Sequence, residues 1–384
     1  MSADRNDRTE RNDRMERTGR ADRIGGADRV EPVQPGRPVA RVEPVGPAEP
    51  VDVVCLGESM ITFVPSRPGP LAGVPDFHRA IGGAESNVAC TLARAGHTVR
   101  WVSRVGADGF GDHLVETIAA SGVDVSAVQR DRHRPTGVYF RTAGERATTL
   151  AAAPGRAEVV YYRKGSAASA LSPALVRRGD AWAGRVLHLT GITGALSPTC
   201  LALMRRLTHR EPGRPLVSFD VNHRPALWHG ADPWLLAELA RGCDLVFVGE
   251  DEAQAAWGLA DAAAIRAALP EPPVLVVKQG AAGAVLFGDP ARPPLHVPAP
   301  TVDVVAHVGA GDAFAAGFLS ATLRGLPPRD RLRHGHLLAA AALTVPGDLA
   351  EPPSRARVDA LAALDDAAWG RLRLGPGWVG EEER

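Results

Sequence analysis

Segments with the pattern of a buried β-strand alternate with helix patterns from residue 51 to near the C-terminus. The first is a β-branched run at 51–59, and the helix pattern that follows it in 82–96 stops at a glycine. Later strand patterns are RVLHLTGI, PLVSFDVN, DLVFVGE and VLVVKQG; the first three are each followed by a helix and the last by a hairpin, AVLF. Repeated β–α units predict an α/β fold with a doubly wound parallel sheet flanked by helices, an αβα sandwich.

Two further segments do not fit this alternation. Residues 136–142 and 158–163 are rich in Val, Tyr and Phe and have no helix between them, so they are expected to be antiparallel strands outside the main sheet. An irregular Pro/Gly-rich stretch occupies 64–81. We expect a small β lid from about 61–80 and 134–165 over the mouth of a site. Its exposed strand edges could pair between subunits, so a homo-oligomer is possible.

The ordered domain is predicted at 51–365, between two tails. Residues 1–50 carry the sequence RNDR at 5–8 and again at 11–14, followed by Pro/Val/Gly-rich sequence with no apolar periodicity. Such a segment has little to bury, and disorder is expected. Residues 366–384 are predicted to be a C-terminal tail.

The composition excludes several classes of protein. The chain has 384 residues, with 44 acidic and 44 basic side chains, and no Lys/Arg block lies within a predicted helix, so a nucleic-acid partner is not indicated. No apolar run approaches the roughly 20 residues of a membrane span, and the N-terminus has no apolar signal region. The four cysteines have no metal-site spacing and are expected to be reduced core thiols. These features predict a cytoplasmic protein without membrane partners.

A few residue types are scarce, and this directs attention to the positions where they remain. Arg, Ala, Gly and Pro are abundant, whereas Lys and Tyr are rare throughout and Asn is rare after residue 50. Lysine and arginine are not equivalent at a tight site, so a surviving lysine marks a place where the substitute would fail. The scarce residues are Lys164, Lys278, Tyr139, Tyr161, Tyr162, Asn87 and Asn222.

The strongest single motif is VGAGDAFAAGF at 308–318. Gly309 and Gly311 bracket a turn at the start of a predicted helix, where unpaired amides and a partial positive charge favour an anion. Asp312 follows, and the positive pole is expected to keep this carboxylate ionised and able to accept a proton. In isolation the motif could equally be an aspartate that caps a core helix.

The motif is accompanied by GGAESNVA near the start of the domain, and the pair resembles the two signatures of the ribokinase-like (PfkB-type) carbohydrate kinases. The resemblance extends over about 51–364. It implies a ribokinase-like fold, ATP and Mg²⁺ as cofactors, and a small-molecule sugar as partner. By the resemblance, the first signature contacts the sugar through Gly82, Gly83 and Asn87. The second holds phosphate oxygens on the amides of Gly309, Ala310 and Gly311, and it supplies Asp312 as the catalytic base.

Three other segments resemble the 2-keto-3-deoxygluconate kinase branch of this family: YYRKGSAAS, HLTGITGALS and SFDVNHRPALW. They place Arg163, Lys164 and Arg224 near the proposed sugar pocket. Arginine forks match a carboxylate, so an acid sugar is predicted. The expected pocket walls are formed by Tyr139 and Tyr161, which can pack against a sugar ring. The resemblance adds Ile192 as an apolar wall and Asp348 as a contact for a sugar hydroxyl.

The expected nucleotide side rests mainly on VVKQGAAG at 276–283. Its glycines, Gly280 and Gly283, let the backbone approach a nucleotide, and Lys278 can reach a phosphate. By the resemblance, Glu252 orients Mg²⁺ through water and His336 lies near the adenine. Gly249 is expected on the same side.

The sequence departs from the family pattern at several positions. Ala306, His307 and Val308 stand where Asp-Thr-x or Asp-Pro-x is usual before G-A-G-D, which puts potassium activation in doubt. Gly249 replaces the common Asn or Ser and weakens one nucleotide contact. Leu349 stands where this branch often has His.

The predicted reaction is transfer of a phosphoryl group from ATP to the 6-hydroxyl of 2-keto-3-deoxygluconate or a closely related acid sugar. The alternatives are a neutral-sugar kinase of the fructokinase or ribokinase type and a non-catalytic sugar sensor. A nicotinamide oxidoreductase is disfavoured because no G-x-G-x-x-G turn follows the first strand.

Overall fold

The computed structural model describes residues 49–67, 69–142 and 159–380. Strands and helices are numbered here in chain order. Within the described residues no helix is long and apolar enough to cross a membrane.

The central sheet has nine strands. In spatial order they are Leu295–Val297 (β13), Ala284–Phe287 (β12), Val274–Lys278 (β11), Leu245–Gly249 (β10), Leu216–Asp220 (β9), Gly184–Thr190 (β8), Val51–Leu56 (β1), Val99–Gly106 (β4) and Val128–Asp131 (β5). The strands from β11 to β5 pair in parallel, whereas β12 and β13 are antiparallel. The predicted parallel sheet is therefore confirmed, with an antiparallel margin at the position of the predicted hairpin.

Helices follow most of the parallel strands, as the β–α repeat predicts. They are Ala84–Arg94 (α1), Gly109–Ala120 (α2), Arg178–Ala181 (α3), Gly191–Ala195 (α4), Pro198–Thr208 (α5), Pro225–Trp228 (α6), Trp234–Arg241 (α7), Glu250–Trp257 (α8), Ala262–Ala268 (α9), Ala310–Leu323 (α10), Pro328–Leu343 (α11), Arg355–Ala362 (α12) and Asp366–Gly370 (α13).

The sheet separates two hydrophobic cores. Side chains alternate across a strand, so Val53 and Cys55 of β1 face one core while Val54 and Leu56 face the other. The first core is closed by α1, α2 and α10–α13, and the second by α3, α5 and α7–α9. All four cysteines are buried and free, as predicted. The layered arrangement is the predicted αβα sandwich.

A second sheet of four strands forms the predicted lid. Its order is Phe77–Gly82 (β3), Met60–Pro65 (β2), Val138–Arg141 (β6) and Val159–Tyr162 (β7). β6 and β7 are antiparallel, which confirms the predicted pair; Glu158 lies outside the described residues. The prediction of an irregular stretch at 64–81 was wrong in part, because β3 pairs with β2 along its whole length. That pairing buries Ile81, and no local sequence pattern predicts the pairing.

The prediction of a C-terminal tail from residue 366 was wrong through residue 380. Helix α13 is followed by Arg373–Leu374 (β15), which pairs in parallel with Thr301–Val302 (β14). Trp369 is 1% exposed and donates its indole N–H to Pro298 O at 2.8 Å. Burying an indole stabilises a protein strongly, and this anchors the segment to the first core. Of the predicted N-terminal tail, 1–48 lies outside the described residues.

Candidate active site

Helix α10 begins where the G-A-G-D motif predicted, at Ala310, with Gly309 as its N-terminal cap. Gly309 has a φ of 75°, a left-handed conformation that side chains other than glycine rarely adopt. A Cβ on Gly309 would also lie 2.2 Å from the carbonyl oxygen of Asp348. The turn is thus built for glycine, and it leaves the first amides of a 14-residue helix without helical partners.

Asp312 lies in the first turn of α10 and faces a polar cavity. Its Oδ2 accepts a hydrogen bond of 2.9 Å from the Asn87 amide. Burial raises the pKa of Asp312 to about 7, and the negative charge of Asp220 adds to the rise. The hydrogen bond from Asn87 and the positive charges of Arg224 and Lys278 lower the pKa. The helix pole was expected to keep this carboxylate ionised and able to accept a proton; desolvation raises its pKa to near neutrality, where the ionised and protonated forms are both populated. A pKa near neutrality suits a general base.

The cavity beside Asp312, here called the sugar cavity, brings together most of the residues predicted to contact the sugar. Those that line it are Gly82, Gly83, Asn87, Tyr139, Tyr161, Arg163, Ile192, Arg224 and Asp348, and the predicted catalytic residues Gly309, Gly311 and Asp312 line it as well. The carboxylate of Asp312 therefore lies in the same cavity as the tyrosines and arginines, rather than in packing. Asn87 Oδ1 is buried and has no hydrogen-bond partner among the described residues, so it remains available to a donor such as a sugar hydroxyl.

Lys164 was predicted wrongly as a pocket residue. It lies in the turn that follows β7, its side chain is exposed, and it is absent from the cavity lining. Arg163 does line the cavity, and its Nε donates to Glu58 Oε2 at 2.8 Å, with a second bond from Nη2. Ser166 donates to the other oxygen of Glu58 at 2.6 Å. The charge of Arg163 is thus compensated by a buried carboxylate that the sequence analysis did not identify.

Asp348 also has two partners within the protein that were not predicted. Its two oxygens accept hydrogen bonds of 2.8 Å from the Tyr139 hydroxyl and from Arg141 Nη2, both on lid strand β6. Burial raises the pKa of Asp348, and Arg141 and Tyr139 act against that rise. A Cβ on Gly82 would lie 2.2 Å from the Tyr139 hydroxyl, which explains glycine there. Asp348 therefore binds the lid to the segment after α11 while it also lines the sugar cavity, and its oxygens retain acceptor capacity for a sugar hydroxyl.

Arg141 was not predicted to line the sugar cavity, although its spacing from Tyr139 could have indicated it. It lies two residues after Tyr139 on the same strand, so both side chains point to one face. The same spacing relates Tyr161 and Arg163.

Among the arginines that line the sugar cavity, Arg224 has the longest distance to its carboxylate partner. Its Nη1 lies 3.6 Å from Glu252 Oε1, and it donates to the His223 carbonyl at 3.1 Å. Its side chain is 30% exposed, whereas those of Arg141 and Arg163 are 5% and 9% exposed. Arg224 can therefore reorganise toward a ligand at lower cost than the other two.

A second, more apolar cavity adjoins the first and is here called the nucleotide cavity. The residues predicted for the nucleotide all line it: Gly249, Glu252, Lys278, Gly280, Gly283 and His336. Ala310 lines this cavity rather than the sugar cavity, and Gly311 lines both. Phe314 and Leu343 add apolar walls that suit a flat base.

Lys278 borders both cavities and holds a buried carboxylate. Its Nζ donates to Asp220 Oδ1 at 3.0 Å and to Oδ2 at 2.8 Å. Burial raises the pKa of Asp220, and Lys278 opposes the rise. Nζ also lies 3.6 Å from the position that a Cβ on Gly311 would take, close to the helix start. Lys278 therefore lies beside the helix start at which a phosphate was predicted. Asp220 was missed even though it ends strand β9.

His336 forms a neutral wall of the nucleotide cavity. It is buried, and desolvation lowers its pKa to about 4. Nε2 lies 3.1 Å from the Val297 carbonyl, which can only accept, so Nε2 carries the proton. The ring packs edge-on against Phe314 at 5.2 Å between centroids.

Glu252 is the carboxylate that fits a magnesium ion held through water. Its Oε2 accepts from the Gly249 amide at 2.9 Å, and the side chain borders both cavities. The described residues contain no group of three or more His, Cys, Asp or Glu that could hold a metal by themselves. Magnesium is commonly bound by one or two carboxylates together with phosphates and waters. The residues present fit an ion that arrives with the nucleotide.

Comparisons with known proteins agree with this geometry. The pattern of the pfkB family carbohydrate kinases matches residues 51–355. The 2-dehydro-3-deoxygluconokinase of Bacillus subtilis is 35% identical over 80% of this chain and 94% of that protein. The probable fructokinase-6 of Arabidopsis thaliana is 30% identical over 76% of this chain and 77% of that protein.

Among solved structures, the PfkB protein from Polaromonas sp. JS666 is similar, with a TM-score of 0.69 and 35% identity over 81% of this chain and 99% of that one. The family pattern spans most of the chain, and it includes both the helix start at Gly309 and the lid. The chain therefore belongs to the pfkB family of carbohydrate kinases, and it is an ATP-dependent sugar kinase.

Proposed function

We propose that this kinase phosphorylates the 6-hydroxyl of 2-keto-3-deoxygluconate or a closely related acid sugar. The observation that carries the proposal is the position of Arg224, which faces a polar cavity containing the carboxylate of Asp312. A sugar acid has a carboxylate at one end and a primary hydroxyl at the other. The cavity offers a cation for the first and a base for the second.

The charges of the sugar cavity support Arg224 as the partner of the acid group. Arg141 and Arg163 each have a carboxylate partner at hydrogen-bond distance, in Asp348 and Glu58. Arg224 has its nearest carboxylate at 3.6 Å. An arginine fork binds a carboxylate with two parallel bonds, and such charged bonds are about twice as strong as neutral ones.

At the hydroxyl end of the sugar, Asp312 and the amides of the glycine turn would carry out the phosphoryl transfer. Asp312 takes the proton of the 6-hydroxyl as the sugar oxygen forms its bond to the γ-phosphorus, and the bond from phosphorus to the ADP oxygen breaks. The electron pair of the broken bond stays on ADP. The amides of Gly309 to Gly311 stabilise charge on the equatorial oxygens, since they are fixed before the reaction begins.

Two further groups support this step. Lys278 lies at the boundary of the cavities and can bind a phosphate oxygen. Glu252 would hold Mg²⁺ through water, and the bound ion would neutralise part of the phosphate charge. Closure of the lid over the sugar would exclude water, which would otherwise compete as acceptor.

A neutral-sugar kinase is the second candidate. The pairing of Arg141 and Arg163 with carboxylates favours it, because both positive charges are already balanced without a ligand. The similarity to a plant fructokinase is consistent with the same alternative.

A panel of sugar acids and neutral sugars, assayed through coupled ADP detection, separates the two. We expect the wild type to prefer an acid sugar, and Arg224→Ala to lower kcat/KM for that acid by about 10–100-fold, the effect of losing a charged hydrogen bond of about 1.5–3 kcal/mol. The value for a neutral sugar should change by about threefold or less, since no charged bond is lost there.

Arg177→Ala serves as the control, because Arg177 is exposed and pairs with Asp180 away from both cavities. A wild type that prefers fructose to every acid, or an equal loss for both kinds of sugar in Arg224→Ala, would contradict the acid-sugar assignment.

A further inference from the structure

We propose that the imidazole of His307 donates a hydrogen bond to the phosphoryl group during its transfer. This inference rests on the phosphoryl-transfer part of the proposed function and is independent of which sugar accepts the group. It adds a side chain to a site otherwise built from backbone amides and Lys278.

His307 lies where the sugar and nucleotide cavities meet. It lines both, a property shared among the described residues with Glu252, Lys278 and Gly311. A group that passes from nucleotide to sugar must cross this boundary. His307 is also two residues before Gly309, so its chain position is fixed by the glycine turn that starts α10.

The other basic side chains of the two cavities already have partners. The four that carry a full charge have a carboxylate within 4 Å, and His336 lies 3.1 Å from a backbone carbonyl. His307 is exposed to the cavity, and no hydrogen bond or ion pair joins its ring to any other described residue. Its ring N–H can therefore turn to a phosphoryl oxygen without breaking an existing bond.

The chemistry of this boundary calls for a further donor. The transferred group spreads negative charge over three equatorial oxygens as it crosses this boundary. Lys278 is shared with Asp220, which reduces its net positive contribution. One ring N–H of His307, in either tautomer, supplies a donor. The proton balance is unchanged, because the acceptor proton goes to Asp312 and His307 keeps its own.

The test compares His307→Ala with His307→Gln, which retains an N–H donor, using the sugar that the wild type turns over fastest. We expect His307→Ala to lower kcat by about 10–1000-fold, up to the loss seen when one oxyanion donor is removed. KM for the sugar and the dissociation constant for ADP should stay within about twofold, since ADP lacks the transferred group. His307→Gln should recover at least about tenfold of the lost kcat.

His209→Ala is the matched control, because His209 is exposed and lines neither cavity. The inference is overturned by a kcat for His307→Ala within about threefold of wild type. It is equally overturned if binding of ADP weakens as much as kcat falls, since the ring would then contact the phosphates that are not transferred. A preference for neutral sugars would overturn the acid-sugar proposal alone and leave this test intact.

Discussion

Opposing effects act on the carboxylate of Asp312. Burial raises its pKa, and the largest opposing contribution is the amide of Asn87, which donates to Oδ2. The result is a pKa of about 7. A base must be ionised to accept a proton, yet a carboxylate of ordinary pKa is a weak base. Desolvation at this position would therefore make Asp312 a stronger base, while the Asn87 amide and the nearby cations keep a fraction of it ionised at neutral pH.

This balance gives a dependence on pH with a definite sign. Since the ionised form is active and the pKa is about 7, kcat/KM for the sugar should rise with pH below about 7 and level off above it. In Asn87→Leu the bond that lowers the pKa is lost, so the inflection should move to higher pH.

Profiles of kcat/KM against pH, measured with saturating ATP, check both statements. Gln254→Leu is the control, because it makes the same kind of change at an exposed position of α8. An inflection that stays in place, or moves to lower pH, in Asn87→Leu would show that another group controls the profile.

At the scale of elements, the lid is held to the main domain by two buried ion pairs. Arg141 of β6 is bound by Asp348, and Arg163, directly after β7, is bound by Glu58, directly after Gly57 at the end of β1. Both pairs also border the sugar cavity. The contacts that hold the lid therefore also form walls of the sugar cavity, and we expect a change in either pair to act on sugar binding first.

Asp348→Ala tests this coupling. It leaves Arg141 buried without its partner, so we expect a loss in free energy of unfolding of about 3–5 kcal/mol. We also expect KM for the sugar to rise by about tenfold or more, which corresponds to a loss of about 1.4 kcal/mol in the free energy of sugar binding. KM for ATP should change less. Denaturant unfolding and steady-state kinetics measure the two quantities.

Asp359→Ala is the control, since it removes the ion pair with Arg324 in a more exposed place, and such pairs contribute about 0–1 kcal/mol. An equal rise of both KM values in Asp348→Ala, or unchanged stability, would show that the lid is not held by this carboxylate.

The same elements show what the sequence can predict. The start of α10 follows from local chemistry, because a glycine turn and small residues specify it within a few positions. Strand β3 does not, because its place depends on pairing with β2 across a Pro/Gly-rich turn. The partner of Arg163 could not be predicted from local sequence either, since Glu58 lies 105 residues away in the chain.

At the scale of the whole molecule, one fold brings together segments that are far apart in the chain. Asn87 and Asp312 are separated by 225 residues, yet their side chains are 2.9 Å apart. Alternating strand and helix patterns predict the parallel sheet. Its topology then brings the first turns of α1 and α10 together at one edge of the sheet. The C-terminal segment was missed because its anchors, Trp369 and Trp378, are too few to form a periodic pattern.

The central claim is that Asp312 activates the sugar hydroxyl, and Asp312→Asn tests it most directly. This change keeps the shape of the side chain and removes its ability to accept the proton. We expect turnover to fall by about 10²–10⁴, while sugar and ATP binding measured by calorimetry stay near wild type. Turnover that remains at the wild-type level would contradict the account.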